Sequence, residues 1–527
     1  MDYSQPTGES KRTRIVLAVW TCSLVLIAAL SAYATAGYRP LWHDEVYTAA
    51  VSRLESPARI WDALTHAVET NPPLFYIMEA STRRLAVSEE FGLRLPALIG
   101  FLVFVGSVAV FVWRALGPLS GLLAAAVLAS SETLYYASEA RPYGALLGAF
   151  GLAAILWQHR KHGSRSPVIL VFLILCLAFA CSLHYYAVLG VMMFGLADLL
   201  EGIRVRKLDW PFLLTLPLAL IPVLIALPLV RAASSTFSGA FWARSSPKSI
   251  GAAYVFIFSS PQLSAFRFAR LRSGREIGLG EVFLLSVLIL AACGMVVRWR
   301  KTPKPLSWPR PELLLAFAFL LLPLVTGLVG MLTTGVFTPR YVLASTIGVA
   351  VLSGWLLAAW NRKFAFTVAA VLTLALIWNE VPATFHKHSA LASGETPGSS
   401  MNKSMASVFQ MIDAGNSVVV SGAHVYLQAF HYASPKHKSS LFYLEDRESA
   451  LRLSGTDTND AGFLKLQPYE GIHVPYAPDF LRANREFILL SGGEPQEWLP
   501  EYLRRTNARI QPLSVIGALT LSKVQLP

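Results

Sequence analysis

The sequence predicts an all-α polytopic membrane protein that carries a small α/β domain at its C-terminal end. Three observations predict this. Hydrophobic residues make up 54% of the 527 residues and charged residues only 15%, against about 25% charged in an average soluble domain. Apolar runs near the ~20 residues needed to cross a bilayer recur along the first 381 positions. Beyond about His386 the chain turns polar, and short apolar runs of strand length alternate with helix-like stretches. The formal charge of +13 is explained by Lys and Arg in cytoplasmic loops and makes no case for nucleic acid. Cys22, Cys176, Cys181 and Cys293 all lie in apolar runs without a CxxC pair, and read as small core residues.

The first span covers about 15–36, preceded by Lys11, Arg12 and Arg14. It ends in "SAYATAG", which resembles a signal-peptidase site. Its apolar core exceeds the roughly 7–15 residues of a signal peptide, so we read a retained helix; on either reading, the chain from residue 37 onward emerges outside. Further spans are expected near 95–113, 118–136, 142–158, 167–184, 186–200, 211–230, 280–297, 313–333, 342–360 and 365–381, about eleven in all. Basic clusters occur at "HRKHGSR" (159–165), "RVRK" (204–207), "RWRKTPK" (298–304) and "NRK" (361–363). With the N-terminus inside, all four fall in the cytoplasm, as the positive-inside rule requires.

That layout puts the first outer loop (37–94), the turns 135–144, 183–186 and 334–345, the loop 231–279 and the tail from about 382 on the extracytoplasmic side. "NPPLFYIMEASTRRLA" (71–86) is too short and too charged at one end to cross, and reads as an amphipathic helix along the outer surface. The expected division is a membrane module at 1–381, a Ser/Gly-rich linker at 382–400 and an extracytoplasmic α/β domain at 401–527. In the tail "NSVVVSG" and "REFILLSGG" read as buried strands, "SMASVFQMIDAG" and "AHVYLQAFHYA" as helices, and "ALTLSKVQ" as a further strand.

Polar side chains collect at the outer ends of these spans. Asp44 and Glu45 stand in "RPLWHDEVYTAAVSRL" (39–54), between Trp42 and Tyr47. Arg94 opens the second span. Glu139, Arg141 and Tyr143 lie in "YYASEARPYG", His184 and Tyr185 in "LHYY", and Arg340 and Tyr341 in "TPRYVLAS". Each has a plain structural reading. The acids are ordinary loop charges, the arginines interfacial anchors, His184 a bonded helix-end residue, and the tyrosines an aromatic belt. Their gathering on one membrane face argues for a site instead. A carboxylate can act as general base toward a hydroxyl or amine. Arginine forks match phosphate, and aromatics stack on sugar rings. A membrane-embedded donor with a phosphate at the surface would use all three, and a polyprenyl-phosphate sugar is such a donor.

"LWHDEVYTAA", "NPPLFYIM", "GLRLPALIG", "YYASEARPYGALL" and "TPRYVLAS", in that order, resemble the motifs of the GT-C superfamily of polyprenyl-phosphate-sugar-dependent glycosyltransferases. Its members include protein O-mannosyltransferases, lipid A aminoarabinose transferases and bacterial lipopolysaccharide-core transferases. The resemblance covers most of 15–345 and implies the GT-C fold, with surface helices in the first outer loop. It implies that Asp44 is the catalytic acidic residue and general base, and that Glu45 supports it or the acceptor. It implies that Arg141 contacts the donor phosphate, with Arg340 a second candidate; Arg94 matches the arginine that opens the second span. Glu139, Tyr143, His184, Tyr185, Tyr341 and Asn71 complete the candidate substrate-binding set. Many relatives carry His before the Pro-Pro pair where this chain has Asn71.

The resulting expectation is an inverting transferase in the cell (inner) membrane. It takes a polyprenyl-phosphate-linked sugar donor and a lipid, glycan or protein acceptor, and its neighbours are membrane lipids. No cofactor is certain. Asp44, Glu45 and Glu139 offer oxygen ligands to a divalent metal ion, although no spacing demands one. The rival readings are a flippase or transporter of lipid-linked sugars, a membrane scaffold displaying the tail, and a polymerase or ligase using lipid-pyrophosphate donors. A transporter would show inverted repeats and ionisable groups at the bilayer midplane, and the sequence shows neither.

Overall fold

The structure is a computed structural model and describes residues 10–86, 88–163, 165–237, 241–264, 267–270, 276–301 and 310–527. Parts of the loops expected at 159–165, 231–279 and 298–304 lie outside the described residues. The chain divides into two compact units.

The first unit holds Met1–Ala36, Arg94–Ala226 and Arg244–His388. Among the described residues, six helices are long and apolar enough to cross a membrane: Lys11–Tyr38, Glu89–Leu116, Leu279–Val297, Pro311–Leu332, Pro339–Trp360 and Arg362–Ala392. Each lies on an expected span, and the chain is a multi-pass membrane protein. The span expected at 211–230 is broken at Ala226, with a 3-10 segment at Leu216–Leu220. Pro211, Pro217, Pro222 and Pro228 each remove a backbone donor and explain the break. The remaining four expected spans are helical but short or less apolar: Pro118–Ser130, Tyr143–His162, Pro167–Leu183 and Ala187–Arg204. Every residue of Pro118–Ser130 is buried in protein, so this helix of ~20 Å meets other helices rather than lipid along its length.

Small residues let two of these helices touch backbone to backbone. Gly144, Gly148 and Gly151 form one face of Tyr143–His162, against Ala97, Gly100 and Phe104 of Glu89–Leu116. A methyl group on Gly148 would stand 2.6 Å from the Gly100 carbonyl oxygen. With no hydrophobic drive between helices in lipid, such close approach supplies the packing energy. Gly148→Ala is therefore expected to destabilise the protein by about 1–3 kcal/mol. Gly106→Ala is the control: it lies in the facing helix with open space around it, and should be neutral or stabilising. Equal thermal unfolding shifts for the two variants would refute this packing account.

Polar side chains join the first and last spans. Trp20 Nε1 donates to Thr373 Oγ1 at 3.2 Å, Ser31 Oγ donates to the Glu380 carboxylate, and Lys387 Nζ donates to Thr35 Oγ1 at 2.7 Å. Numbers rise together on both helices, so the two run parallel. They exit at the same end of the unit, as an odd number of crossings requires.

The opposite end of Tyr143–His162 carries charge. Arg160 binds Asp209 with both prongs, at 2.7 and 2.6 Å, Lys161 pairs with Asp198, and His162 Nε2 and Gln158 Nε2 meet Glu312 at 2.6 and 2.9 Å. These pairs neutralise buried charge at the helix terminus where basic residues also suit the helix dipole.

The second unit holds Gly37–Leu93, Leu227–Ala243 and Ser389–Pro527. Its sheet has the strand order Leu441–Phe442, Val418–Val420, Glu486–Ser491, Leu519–Gln525, Arg509–Ile516. The first three strands are parallel, and the last two form an antiparallel hairpin on Glu486–Ser491. Val419, Phe487, Leu489 and Val524 pack on Trp498, Leu499 and Leu503. The three expected strands are present. Arg509–Ile516 escaped the sequence pattern because it is an edge strand, mostly exposed, with Pro512 in it. The expected linker at 382–400 is largely helical: Arg362–Ala392 runs on through Pro382, and Pro397–Ser404 follows, its start capped by Thr396.

The segment 71–86 is a helix over Pro73–Leu85, as expected. With His43–Ser52 and Pro57–Thr65 it completes the first-loop helices. His43–Ser52 packs on Ala423–Tyr432 and Thr458–Glu470 of the tail. Arg53 fastens this arrangement. It binds Glu89 with two bonds of 2.8 Å and Glu470 at 3.0 Å, and His431 Nδ1 lies 2.9 Å from the same Glu470.

Candidate active site

The candidate residues fall into two groups, one in each unit.

In the first unit, three chain turns build an aromatic and basic cluster. After Thr133–Ala137 the chain passes through Glu139 and Arg141, and the Arg141 N–H donates to the Glu139 carbonyl at 2.7 Å. Pro142 then starts the next helix, which puts Tyr143 in its first turn. His184 ends Pro167–Leu183 with extended backbone. The Tyr186 N–H donates to His184 Nδ1 at 3.2 Å, so that nitrogen is an acceptor. Pro339–Ser345 is a 3-10 turn that presents Arg340 and Tyr341.

The rings interlock. Tyr143 and His184 lie 5.6 Å apart, and His184 and Tyr341 5.1 Å. The Arg340 guanidinium lies 5.9 Å from the Tyr143 ring centre, a cation–π distance. Arg141 and Arg340 both act electrostatically on His184. Glu139, Arg141, Tyr143 and His184 are buried, whereas Arg340 and Tyr341 are half-buried. Two guanidiniums thus stand beside one tyrosine and histidine wall.

Two neighbours alter the expected set. Tyr186, not Tyr185, stacks on Tyr341, at 4.8 Å, and its hydroxyl donates to the Val336 carbonyl at 3.0 Å. The sequence offered three adjacent positions, His184, Tyr185 and Tyr186, and only the turn geometry selects among them. Tyr136 also joins, 5.1 Å from Tyr143. Arg94 is fully buried and donates from Nη1 to the Ala36 carbonyl at 2.8 Å. It thereby ties the second span to the end of the first.

In the second unit the acid pair opens a helix. Asp44 and Glu45 lie in the first turn of His43–Ser52, where unpaired backbone N–H groups favour negative charge. The two acids differ in surroundings. Glu45 is fully buried, accepts the Trp42 N–H at 3.1 Å and lies 3.6 Å from Arg39 Nη2. Asp44 stays partly open, with Oδ1 3.2 Å from His43 Nδ1. The tail holds the approach to this helix: the Leu41 N–H donates to the Tyr432 hydroxyl at 2.8 Å, and Gln428 Nε2 donates to the Leu41 carbonyl at 2.9 Å. Asn71 is buried just before the Pro-Pro pair.

Sequence reasoning missed the groups that surround Asp44. The His424 ring lies tilted 4.5 Å from the His43 ring, and the Trp42 ring stands edge-on 6.2 Å from His424. Burial, aided by the nearby His43, pushes His424 down to about 4, so its imidazole is neutral at pH 7. Its backbone N–H donates to Glu494 at 3.0 Å, and burial raises that carboxyl. "SGAH" (421–424) between an apolar strand and a helix was the available signal. A strand-to-helix turn beside the point where the sheet reverses its strand order is where open α/β sheets place function.

Asp460 lies behind this cluster, accepting from the Asp446 N–H at 3.1 Å and the Tyr443 hydroxyl at 3.3 Å. Burial pushes it up to about 7. The unfolded value is about 3.9. Between these values the folded chain binds the extra proton, so stability falls as pH rises through that window. The expected loss is on the order of a few kcal/mol between pH 4 and 7. Asp460→Asn can still accept the Asp446 N–H and can donate its amide N–H to the Tyr443 oxygen, and it should flatten the dependence in denaturant titrations; an unchanged slope would reject this assignment.

Among the described residues no group of three or more His, Cys, Asp and Glu gathers in a geometry that could hold a metal ion. No protein-family model and no curated protein matches the sequence. Two solved structures of ArnT from Cupriavidus metallidurans are similar to this chain, and in each case 96% of this chain and 98% of the other are covered. The apo structure has 14% identity and a TM-score of 0.45; the structure bound to undecaprenyl phosphate has 13% identity and a TM-score of 0.50. At such identity the likeness to the second is one of fold. That likeness of fold extends over nearly the whole chain, beyond the 15–345 covered by the five short motifs.

Proposed function

We propose that this chain is an integral-membrane glycosyltransferase that moves a sugar from a polyprenyl-phosphate donor to an acceptor on the extracytoplasmic face of the cell membrane. The observation that carries the reading is the cluster of buried Arg141, Tyr143 and His184 with half-buried Arg340 and Tyr341 at span ends, in a fold similar to that of ArnT. That ArnT has been solved with undecaprenyl phosphate bound gives the cluster a ligand of fitting chemistry: an anionic phosphate on a membrane-embedded chain.

The reaction follows from the residue types. An acceptor hydroxyl or amine attacks the anomeric carbon opposite the phosphate, the carbon–oxygen bond to phosphate breaks, and configuration inverts. Asp44 takes the acceptor's proton as general base. Arg141 and Arg340 hold the departing phosphate as its charge develops. Glu45 acts as a positioning residue, locking the first turn that presents Asp44, and Arg94 steadies the second span. The acceptor is a lipid, glycan or protein.

The test supplies purified protein in vesicles with a panel of polyprenyl-phosphate sugars and a membrane extract as acceptor source. Release of free polyprenyl phosphate from one donor supports the reading. Passage of intact labelled donor across the bilayer would replace it with a flippase.

A further inference from the structure

At the other end of the first unit lies a cavity of about 360 Å³, bordered by Leu116, Gly117, Arg310, Trp355 and Arg362. Its depth follows from the helices that reach it. From Arg94 to Ala115 the helix Glu89–Leu116 rises ~32 Å at 1.5 Å per residue, close to the ~30 Å hydrocarbon thickness. The cavity therefore sits at the opposite membrane interface from the arginine–tyrosine cluster. Positive charge prevails there. Arg310 stands immediately before Pro311–Leu332, Gly117 immediately before Pro118–Ser130, and Arg362 begins Arg362–Ala392, so positive ends of helix dipoles add to two guanidiniums. Arg310 Nη1 donates to the Ala115 carbonyl, which fixes that side chain at the rim. The nearby acid Glu312 turns to Gln158 and His162. The walls are apolar: Leu116, Leu119, Ala358 and the Trp355 indole, a side chain suited to the headgroup level.

We infer that this cavity is a headgroup site for an anionic phospholipid of that leaflet, its phosphodiester held between Arg310 and Arg362 and its glycerol backbone against Trp355. A space of about 360 Å³ suits a glycerophosphate headgroup. Basic pockets between spans are the places where such headgroups bind. The inference is independent of the transferase reading, because it concerns the far end of the bundle.

The experiment compares detergent-purified wild type with the Arg310→Gln/Arg362→Gln double variant. Thermal unfolding is followed with added phosphatidylglycerol, phosphatidylcholine or sodium phosphate. Phosphatidylglycerol should raise the wild-type Tm by several degrees, phosphatidylcholine and sodium phosphate should not, and the double variant should lose most of the rise. An equal rise in the variant overturns the site. A full rise with sodium phosphate reduces it to a bare anion site and overturns the lipid. If the variant does not fold, native mass spectrometry of wild type decides: preferential retention of phosphatidylglycerol over phosphatidylcholine supports the site, and equal retention overturns it.

Discussion

Asp44→Asn is expected to lower kcat for donor consumption by about 10²- to 10⁴-fold, the range that a general base contributes, while leaving the protein folded. The argument rests on the contrast within the pair. Asp44 is partly open and lies beside the His43 imidazole, whereas Glu45 is sealed and spends one oxygen on the Trp42 N–H and the other beside Arg39. Asparagine keeps the shape of Asp44 and removes its basicity. Glu45→Gln still caps the Trp42 N–H, as glutamine does at this helix position, and loses the charge that faces Arg39. Its activity should fall less than tenfold. Steady-state release of polyprenyl phosphate separates the two variants. If Glu45→Gln falls as far as Asp44→Asn, the base has been misassigned within the pair; if neither falls, the acid pair is not catalytic.

Much of the fold was legible because a bilayer imposes a crude rule. A spanning helix must satisfy its own backbone and present apolar side chains, and six of the expected spans are found on that rule alone. Where protein surrounds a helix, the rule relaxes. Pro118–Ser130 is all buried, and Tyr143–His162 hides Gln158 and Arg160, so the spans expected at 118–136 and 142–158 are helical without the length or apolarity that lipid contact demands. The break at Ala226 followed from four prolines spaced five or six apart, a signal present in the sequence that the apolar count overrode. In the tail, central strands announced themselves as buried apolar runs, while the edge strand Arg509–Ile516 did not.

The site was legible in residue types and not in geometry. Asp44, Arg141 and Arg340 stood out as charges at span ends. Nothing in "LHYY" says that Tyr186 rather than Tyr185 meets Tyr341; that depends on the extended backbone of His184, which turns the next helix. His424 lies 380 positions from Asp44 in sequence, and it enters through packing of His43–Ser52 on Ala423–Tyr432. Long-range pairing of this kind leaves no local pattern to read.

The second large effect is expected at the arginines. Arg141→Gln should reduce kcat/KM for the donor by about 10²- to 10³-fold, comparable to loss of one preorganised donor to a developing anion. Arg141 is almost wholly buried beside His184, so no mobile surface charge can take over its role in the glutamine variant. Arg340 is half-buried and lies over the Tyr143 ring. Arg340→Lys keeps the charge but loses the planar fork, so it should fall by an intermediate amount and Arg340→Gln by more. The decisive readout is product inhibition. Free polyprenyl phosphate carries the leaving group, so its inhibition constant should rise in each variant alongside the loss in kcat/KM. A role in holding the fold would instead lower kcat and thermal stability together and leave that constant unchanged. A large loss of activity with wild-type affinity for polyprenyl phosphate would remove the arginines from the phosphate site and leave the Tyr143–His184–Tyr341 wall without its anion.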